Sequence, residues 1–169
     1  RDIELRKFWK NSDHLAGTVN TLRDMMVAMP VRVIARDNSI KSYVREAQNY
    51  TRILNDQTES RSNLVTQGWS SGYGPFIEDF YTIDNGAFFV AEGPGRGDEP
   101  LQGPPTKLIH LDGCEIWRTQ NHEYPIIYTD LDGKQYRLHK SRVISLTSQS
   151  TPASSMYGIG FCSVSRAIN

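Results

Sequence analysis

The dominant spacing of apolar side chains shifts at Asn85-Gly86, from the three-to-four-residue period of helices to the two-residue period of strands. Leu15, Val19, Leu22, Met26 and Met29 recur at steps of four, three, four and three, which lines them up on one helical face. Ser12 stands at the N-cap position of this helix, and Pro30 ends it. The stripe makes Met26 and Met29 core residues and leaves Met25, off to one side, to touch a neighbour. Phe8 and Trp9 precede the cap, where they fold back as a hydrophobic staple, and Val31 to Ala35 alternates as a short strand does. After a turn at Asp37-Asn38, the residues Ile40, Tyr43, Val44, Ala47, Ile53 and Leu54 form the apolar side of a second helix. Thr58 to Ser71 is polar enough for a loop or a frayed helix, and a third helix covers Pro75 to about Asp84.

From Ala87 onward the pattern is that of strands: Ala87 to Glu92, Thr106 to Leu111, Cys114 to Thr119, Ile126 to Thr129, Gln135 to Leu138 and Val143 to Leu146. Between the first two, Gly93 to Pro105 is too rich in Gly and Pro for a regular element, so an exposed, mobile loop is expected. Asp132-Gly133 is a hairpin turn, because both residues tolerate positive φ. Ser148 to Ser155 has the composition of a linker, and Tyr157-Gly-Ile-Gly160 leads into a last helix. The fold class that follows is α+β, one domain over 1–169 with N-terminal helices packed on a mostly antiparallel, hairpin-rich sheet. Residues 1–85 make the mainly helical part, 86–147 the β-rich part, and 148–169 the linker and the start of a further helix.

Composition removes several function classes. At 169 residues, 38% hydrophobic and 22% charged, the chain has the make-up of an ordinary globular domain, which excludes disordered and collagen-like readings. Nineteen Lys plus Arg balance nineteen Asp plus Glu, so no net field draws nucleic acid in from a distance and any DNA contact is local. Cys114 and Cys162 lie far apart without zinc or Cys-x-x-Cys spacing, which suits free buried thiols in a reducing compartment. No stretch approaches the roughly 20 apolar residues that cross a bilayer, and no charged start leads into an apolar signal region. A soluble protein without a membrane partner is expected, and Arg1 and Asn169 both look like cut ends of something longer.

Two pairings hint at acid–base or nucleophilic work, His139 with Ser141 and His110 with Asp112. No Gly-x-Ser-x-Gly elbow accompanies them, and a triad needs base, nucleophile and orienting acid to converge. His14, His110, His122 and His139 show neither His-Glu-x-x-His nor an i, i+4 pair, so no metal site is assigned. Gly93-Pro-Gly-Arg-Gly lacks the Lys-Ser/Thr and the following helix of a phosphate loop. The Arg96-Gly97-Asp98 triplet matches adhesion ligands and Asn49-Tyr50-Thr51 a glycosylation acceptor, both short enough to occur by chance. Trp117, Tyr124, Tyr128 and Tyr136 interleave with Arg118, Lys134 and Arg137, a pattern of a stacking platform for single strands or, more simply, of cross-strand pairs. No catalytic, cofactor-binding or metal-binding residue is assigned on these grounds.

The segments Phe76 to Glu92, Pro105 to Asp112 and His139 to Ile144, with Met29-Pro30-Val31 before them and Tyr157-Gly-Ile-Gly160 after, carry a further signal through their order. Together they resemble the wing region of tailed-bacteriophage portal proteins. In that family a helix ends in a Gly-Asn-Ala-like turn, an exposed hairpin follows, and an His-x-Ser-Arg-Val-Ile-like strand precedes a Gly-rich turn and helix. Here Asn85-Gly86-Ala87 replaces the usual order, and Gly158-Ile-Gly160-Phe-Cys-Ser163 stands for the Gly-x-Ser turn. The resemblance implies a non-enzymatic structural subunit without cofactors, in a ring of identical portal subunits, typically a dodecamer, at the capsid vertex of the virion. That ring forms the channel for packaging and ejection of double-stranded DNA. It meets the major capsid or scaffold protein, the terminase and the head-tail connector, and assembles in the host cytoplasm. The family's stem and clip match nothing here and are expected outside this sequence. On the same resemblance, His139 to Arg142 lock a turn or meet a neighbouring subunit. The alternatives are a hydrolase or transferase using His139, Ser141 and Asp112, and an α+β module binding nucleic acid through its aromatic sheet.

Overall fold

Leu5 and Trp9, four residues apart, fall on one side of any helix that spans them, and Asp2 and Glu4 at one end with Lys7 and Lys10 at the other match the helix dipole. In the computed structural model, which describes residues 1–61, 63–148 and 161–168 (63–66 as backbone), they form a helix of their own. This is α1, Asp2–Lys10, where the sequence suggests only a staple. Trp9 is buried and Phe8, on the other side, is exposed. Ser12 then sits in extended conformation as the backbone N-cap of α2, Asp13–Val27. Val19 of the stripe is buried and Met26 is partly buried, but Met29 is 56% exposed, against expectation. The helix stops at Val27 because the residue before a proline is pushed away from the α region, and the last member of the stripe leaves the core with it.

Val31 to Ala35, expected as a short strand, joins neither sheet. Its backbone groups are met by side chains of α3, Lys41–Asp56: Val33 N–H donates to Thr51 Oγ1 (3.0 Å) and Asn55 Nδ2 to the Val31 carbonyl (3.3 Å). The polar stretch after α3 is neither loop nor frayed helix. It forms β1, Thr58–Ser60, and β2, Asn63–Gln67, and α4 runs from Trp69 to Thr82 with Pro75 inside it. Gly72 and Pro75 read as helix breakers, yet Gly72 serves close approach. A Cβ there would lie 2.3 Å from Thr58 Cγ2 and 2.9 Å from the Glu59 carbonyl oxygen, so α4 packs on the backbone of β1.

The strand half follows expectation more closely. β3 (Ala87–Glu92), β4 (Lys107–Leu111), β5 (Ile116–Arg118), β6 (Ile126–Thr129), β7 (Gln135–Leu138) and β8 (Val143–Leu146) occur in order, and Gly133 turns the β6–β7 hairpin with φ +74°. They make two sheets rather than one. The larger has the order β2-β1-β4-β3-β8 and is antiparallel except between β1 and β4; the smaller is the meander β5-β6-β7. β3 lies between β4 and β8 and is covered on both faces, which explains its unbroken apolar run. Phe88 and Val90 pack with Ile109, Leu111, Ile116 and Ile126 toward the meander, while Ala87, Phe89 and Ala91 pack with Phe76 and Ile77 of α4. A third cluster joins Leu5, Trp9 and Val19 to Cys162 and to Val164 of α5, Ser163–Ile168. The linker beyond Ser148 and the Tyr157–Gly160 step lie outside the described residues.

Gly93 to Pro105 is exposed over most of its length but fastened, where a mobile loop is expected. Arg142, 3% exposed, donates to the carbonyls of Glu99 (2.8 Å) and Pro94 (2.7 Å). Leu101 N–H donates to Ser141 Oγ (2.9 Å), and His139 N–H to the Gly97 carbonyl (3.1 Å). The loop is a strap held by the turn between β7 and β8.

Gly86 and Gly133 separate two effects of glycine. Both have positive φ, +88° and +74°, but a Cβ at Gly86 would meet the Leu146 carbonyl oxygen at 2.4 Å, whereas one at Gly133 meets nothing within 4 Å. Gly133→Ala is expected to cost about 1 kcal/mol and Gly86→Ala at least about 2 kcal/mol more. Urea midpoints of the two variants measure this, and equal midpoints would remove the packing argument.

Candidate functional site

Asp79 lies on α4 among Phe76, Ile77 and Phe80 and is 3% exposed, a position where an unpaired carboxylate would be prohibitive. Its oxygens are therefore fully engaged. Oδ1 accepts from Arg6 Nη2 (2.8 Å), and Oδ2 meets His110 Nε2 (3.0 Å) and accepts from Gly113 N–H (3.0 Å). Arg6, reaching down from α1, also grips Asp112 in a two-pronged pair, Nη1 to Oδ2 (2.6 Å) and Nη2 to Oδ1 (2.8 Å). Asp112 Oδ1 additionally caps the 3-10 turn Gly113–Glu115 by accepting from Cys114 N–H (2.8 Å). On the far side of the ring, His110 Nδ1 meets Ser60 Oγ (3.0 Å). A continuous polar chain thus runs Ser60, His110, Asp79, Arg6, Asp112 and ties β1, β4, α4 and α1 together.

Ser60, His110 and Asp79 are the residue types of a nucleophilic triad, but a triad acts only where its hydroxyl meets substrate. Ser60 has 0% exposure and His110 2%, so the hydroxyl is sealed beneath the sheet. The Asp79 charge is also already taken by Arg6. His110 and Asp112, paired in the sequence reading, belong to this chain but bond to different partners, Asp79 and Arg6.

His139 and Ser141 do meet, Nδ1 to Oγ at 2.9 Å. Ser141 N–H donates to the same Nδ1 (3.2 Å), so that nitrogen is an acceptor and the imidazole caps the 3-10 turn Lys140–Arg142. The Asp112 carboxylate does not join them, being held by Arg6 and Cys114 N–H. The three residues of the hydrolase alternative are therefore not one constellation. The aromatic platform is likewise divided. Trp117 is 69% exposed, Tyr128 is core, and Tyr124 sits edge-on against the His139 ring. Arg118 is occupied by Asn85, through Nε to Oδ1 (2.9 Å) and Nη2 to the carbonyl (2.8 Å), and lies over Phe88.

The turn after α4 is equally committed. Asp84 accepts from Cys162 N–H (2.9 Å) and pairs with Arg1 Nε (2.7 Å). Asn85 Nδ2 donates to the carbonyls of Gly113 (2.8 Å) and Ile116 (2.9 Å). Both cysteines are free thiols. Burial pushes each up to about 12, with nearby carboxylates adding to the effect, so neither is a thiolate at neutral pH. Among the described residues no three His, Cys, Asp or Glu side chains gather in a way that could hold a metal ion. No described helix is long and apolar enough to cross a membrane.

The polar chain of Asp79 leaves only a trace in the sequence. His110 stands between Ile109 and Leu111, so in a strand it turns to the face opposite them, and Asp79 interrupts an otherwise apolar helix side. Arg6, whose distance in sequence from both is large, carries no such trace. A cavity of about 580 Å³ between β3, the strap and the meander was also unforeseen; Arg61 and Tyr128 are in its wall. Neither a scan of protein-family models nor a search of curated proteins returns a match to this chain.

Asp79→Ala takes the acceptor from His110 Nε2 and from the Gly113 N–H and leaves Arg6 with Asp112 alone; it is expected to lower stability by about 3–5 kcal/mol, read from chemical denaturation, and a loss below about 1 kcal/mol would show that the chain of contacts contributes little. The acid limb isolates Asp112. Burial alone would raise its carboxyl, but the Arg6 hydrogen bonds and charge hold it below the ordinary value. Stability from Asp112 is thus complete above about pH 4, the unfolded value, and is lost as pH falls through the lower folded one. Asp2, whose carboxyl burial raises, works in the opposite direction. Asp112→Asn should flatten the decline of the urea midpoint below pH 4; an unchanged slope would assign the acid limb to other groups.

Proposed function

We propose that the chain is part of a structural subunit of a tailed-phage portal ring, the wing-like portion that seats the ring at the capsid vertex. The observation that carries this reading is the use made of the residues behind the resemblance. Asn85 spans two carbonyls and an arginine, Gly86 lets β3 and the end of β8 approach, His139 caps a turn, and Arg142 holds the strap. Each fixes shape, and none presents a reacting atom.

Shape is what a ring subunit needs. Identical copies in a closed ring join head to tail through two different faces, and a small error in either face accumulates around the circle. Among the described residues β8 has no strand on its outer side, and Ile144 and Leu146 on it are 48% and 45% exposed. Such an edge is suited to a neighbouring copy. The balance of nineteen basic and nineteen acidic residues also fits a ring through which duplex slides, since every phosphate neutralised adds affinity by counterion release. On this reading the partners are identical subunits, capsid or scaffold protein, terminase and connector, with double-stranded DNA passing through.

The test is assembly of the natural full-length protein carrying His139→Ala and Ser141→Ala together. These changes remove a turn cap worth about 1–2 kcal/mol, so the protein is handled well below its melting temperature. Light scattering and negative-stain images are expected to show closed rings, about twelve-fold, and packaging in a complementation assay is expected to persist. A protein that stays monomeric at every concentration, or that has a turnover abolished by the double change, would overturn the proposal.

A further inference from the structure

The cavity between β3, the strap and the meander encloses about 580 Å³ and is lined by Val90, Leu111, Tyr136 and Leu138 with two arginines in its wall. The size and the apolar lining are those of small-molecule sites, which run to roughly 300–1,000 Å³ with a few polar groups to fix orientation. The two arginines are not equivalent. Arg142 is spent on the carbonyls of Glu99 and Pro94. Arg61 makes no ion pair or hydrogen bond through its side chain among the described residues, and its Nε is buried without a partner. A guanidinium left unmatched in a half-buried wall has lost water without gaining an acceptor, which is unfavourable until an anion arrives.

Tyr128 adds the second polar group. Its side chain is buried in the apolar cluster, lines the same cavity, and lies close enough to Arg61 for the cation to lower its phenol against the rise caused by burial. Guanidinium and phenol are both donors, and a planar carboxylate accepts from such a pair through its two oxygens. The rest of the wall limits the charge. With Arg142 engaged by carbonyls and Glu92 also in the wall, one unspent positive charge faces the cavity, which suits a singly charged anion better than a phosphate.

We propose that this cavity is a binding site for a small apolar monocarboxylate, its carboxylate held by Arg61 and the Tyr128 hydroxyl and its body packed against Val90, Leu111, Tyr136 and Leu138. The strap residues Gly93 to Gly97 form one side of the site, so an occupant also braces the segment that Arg142 anchors. The site is independent of the ring reading, because it is complete within one copy of the chain.

The probes are 4-phenylbutyrate and octanoate, with 4-phenylbutyramide as the neutral twin, titrated into the intact protein by calorimetry and by amide chemical shifts. Saturable binding of the carboxylates is expected, at least tenfold weaker for the amide. Arg61→Met should weaken the carboxylates at least tenfold and leave the amide unchanged, and Tyr128→Phe should weaken them severalfold while preserving the packing. Among the described residues Arg61 has no side-chain partner to lose, so its variant is expected to fold; a circular-dichroism melt verifies that, and Tyr128→Phe supplies the same reading should it not. Equal affinity for acid and amide, undiminished binding in both variants, or no saturation in the millimolar range would each overturn the proposal.

Discussion

The carboxylate of Asp79 can be buried only if it is neutralised, and four separate elements are placed by that requirement. Arg6 brings α1 down on α4, His110 fixes the face of β4 that looks at the helix, and Gly113 sets the backbone that follows it. Ser60 extends the chain to β1. Replacing such a network with apolar groups of equal volume is often neutral or stabilising, so its worth lies less in energy than in register. A helix sliding by one turn on an apolar sheet loses little contact area. A helix whose aspartate must meet one histidine and one arginine has a single acceptable position.

The same principle of fixing position recurs at the other end of the molecule. The strap is ordered by backbone carbonyls that converge on one buried guanidinium, and the cation of Arg142 is balanced by dipoles rather than by a carboxylate. Carbonyls of a Gly- and Pro-rich segment have few internal partners, because proline has no N–H and glycine no side chain. A buried arginine with its planar set of donors meets several of them at once. His139 and Ser141 complete the arrangement by closing the turn from which Arg142 projects. What looks from composition like the least ordered part of the chain is thereby joined to its most regular part, the central strand β3.

How much was legible in the sequence follows from the range of the forces involved. The strands from Ala87 to Leu146 and the helix from Lys41 were readable because a period of two or of 3.6 is printed in adjacent residues. The β1–β2 pair was not, since Thr58 to Ser60 is buried by what packs on it and is polar in itself. Helix α4 begins at Trp69, six residues before the Pro75 start that local propensity favours, because contact with β1 outweighs the local penalties of Gly72 and Pro75. The pairs His139–Ser141 and His110–Asp112 were found by proximity in sequence, and proximity misled in the second case. The partners of His110 are 50 and 31 residues away, a distance at which a single sequence holds no record of contact.

Ser60, His110 and Asp79 show why residue type and hydrogen-bond order are insufficient to assign chemistry. In an acyl-transfer site the aspartate keeps its charge to stabilise the imidazolium that forms when histidine takes the serine proton. In this chain the Asp79 carboxylate is divided between Arg6 and His110, one oxygen to each, so it is not reserved for the imidazole. The hydroxyl that would attack has no exposed surface, and the groove on the Asp79 side is lined largely by charged side chains, Arg6, Lys10, Glu78 and Asp112 among them. Both the electrostatics and the access therefore favour a relay that holds elements in register.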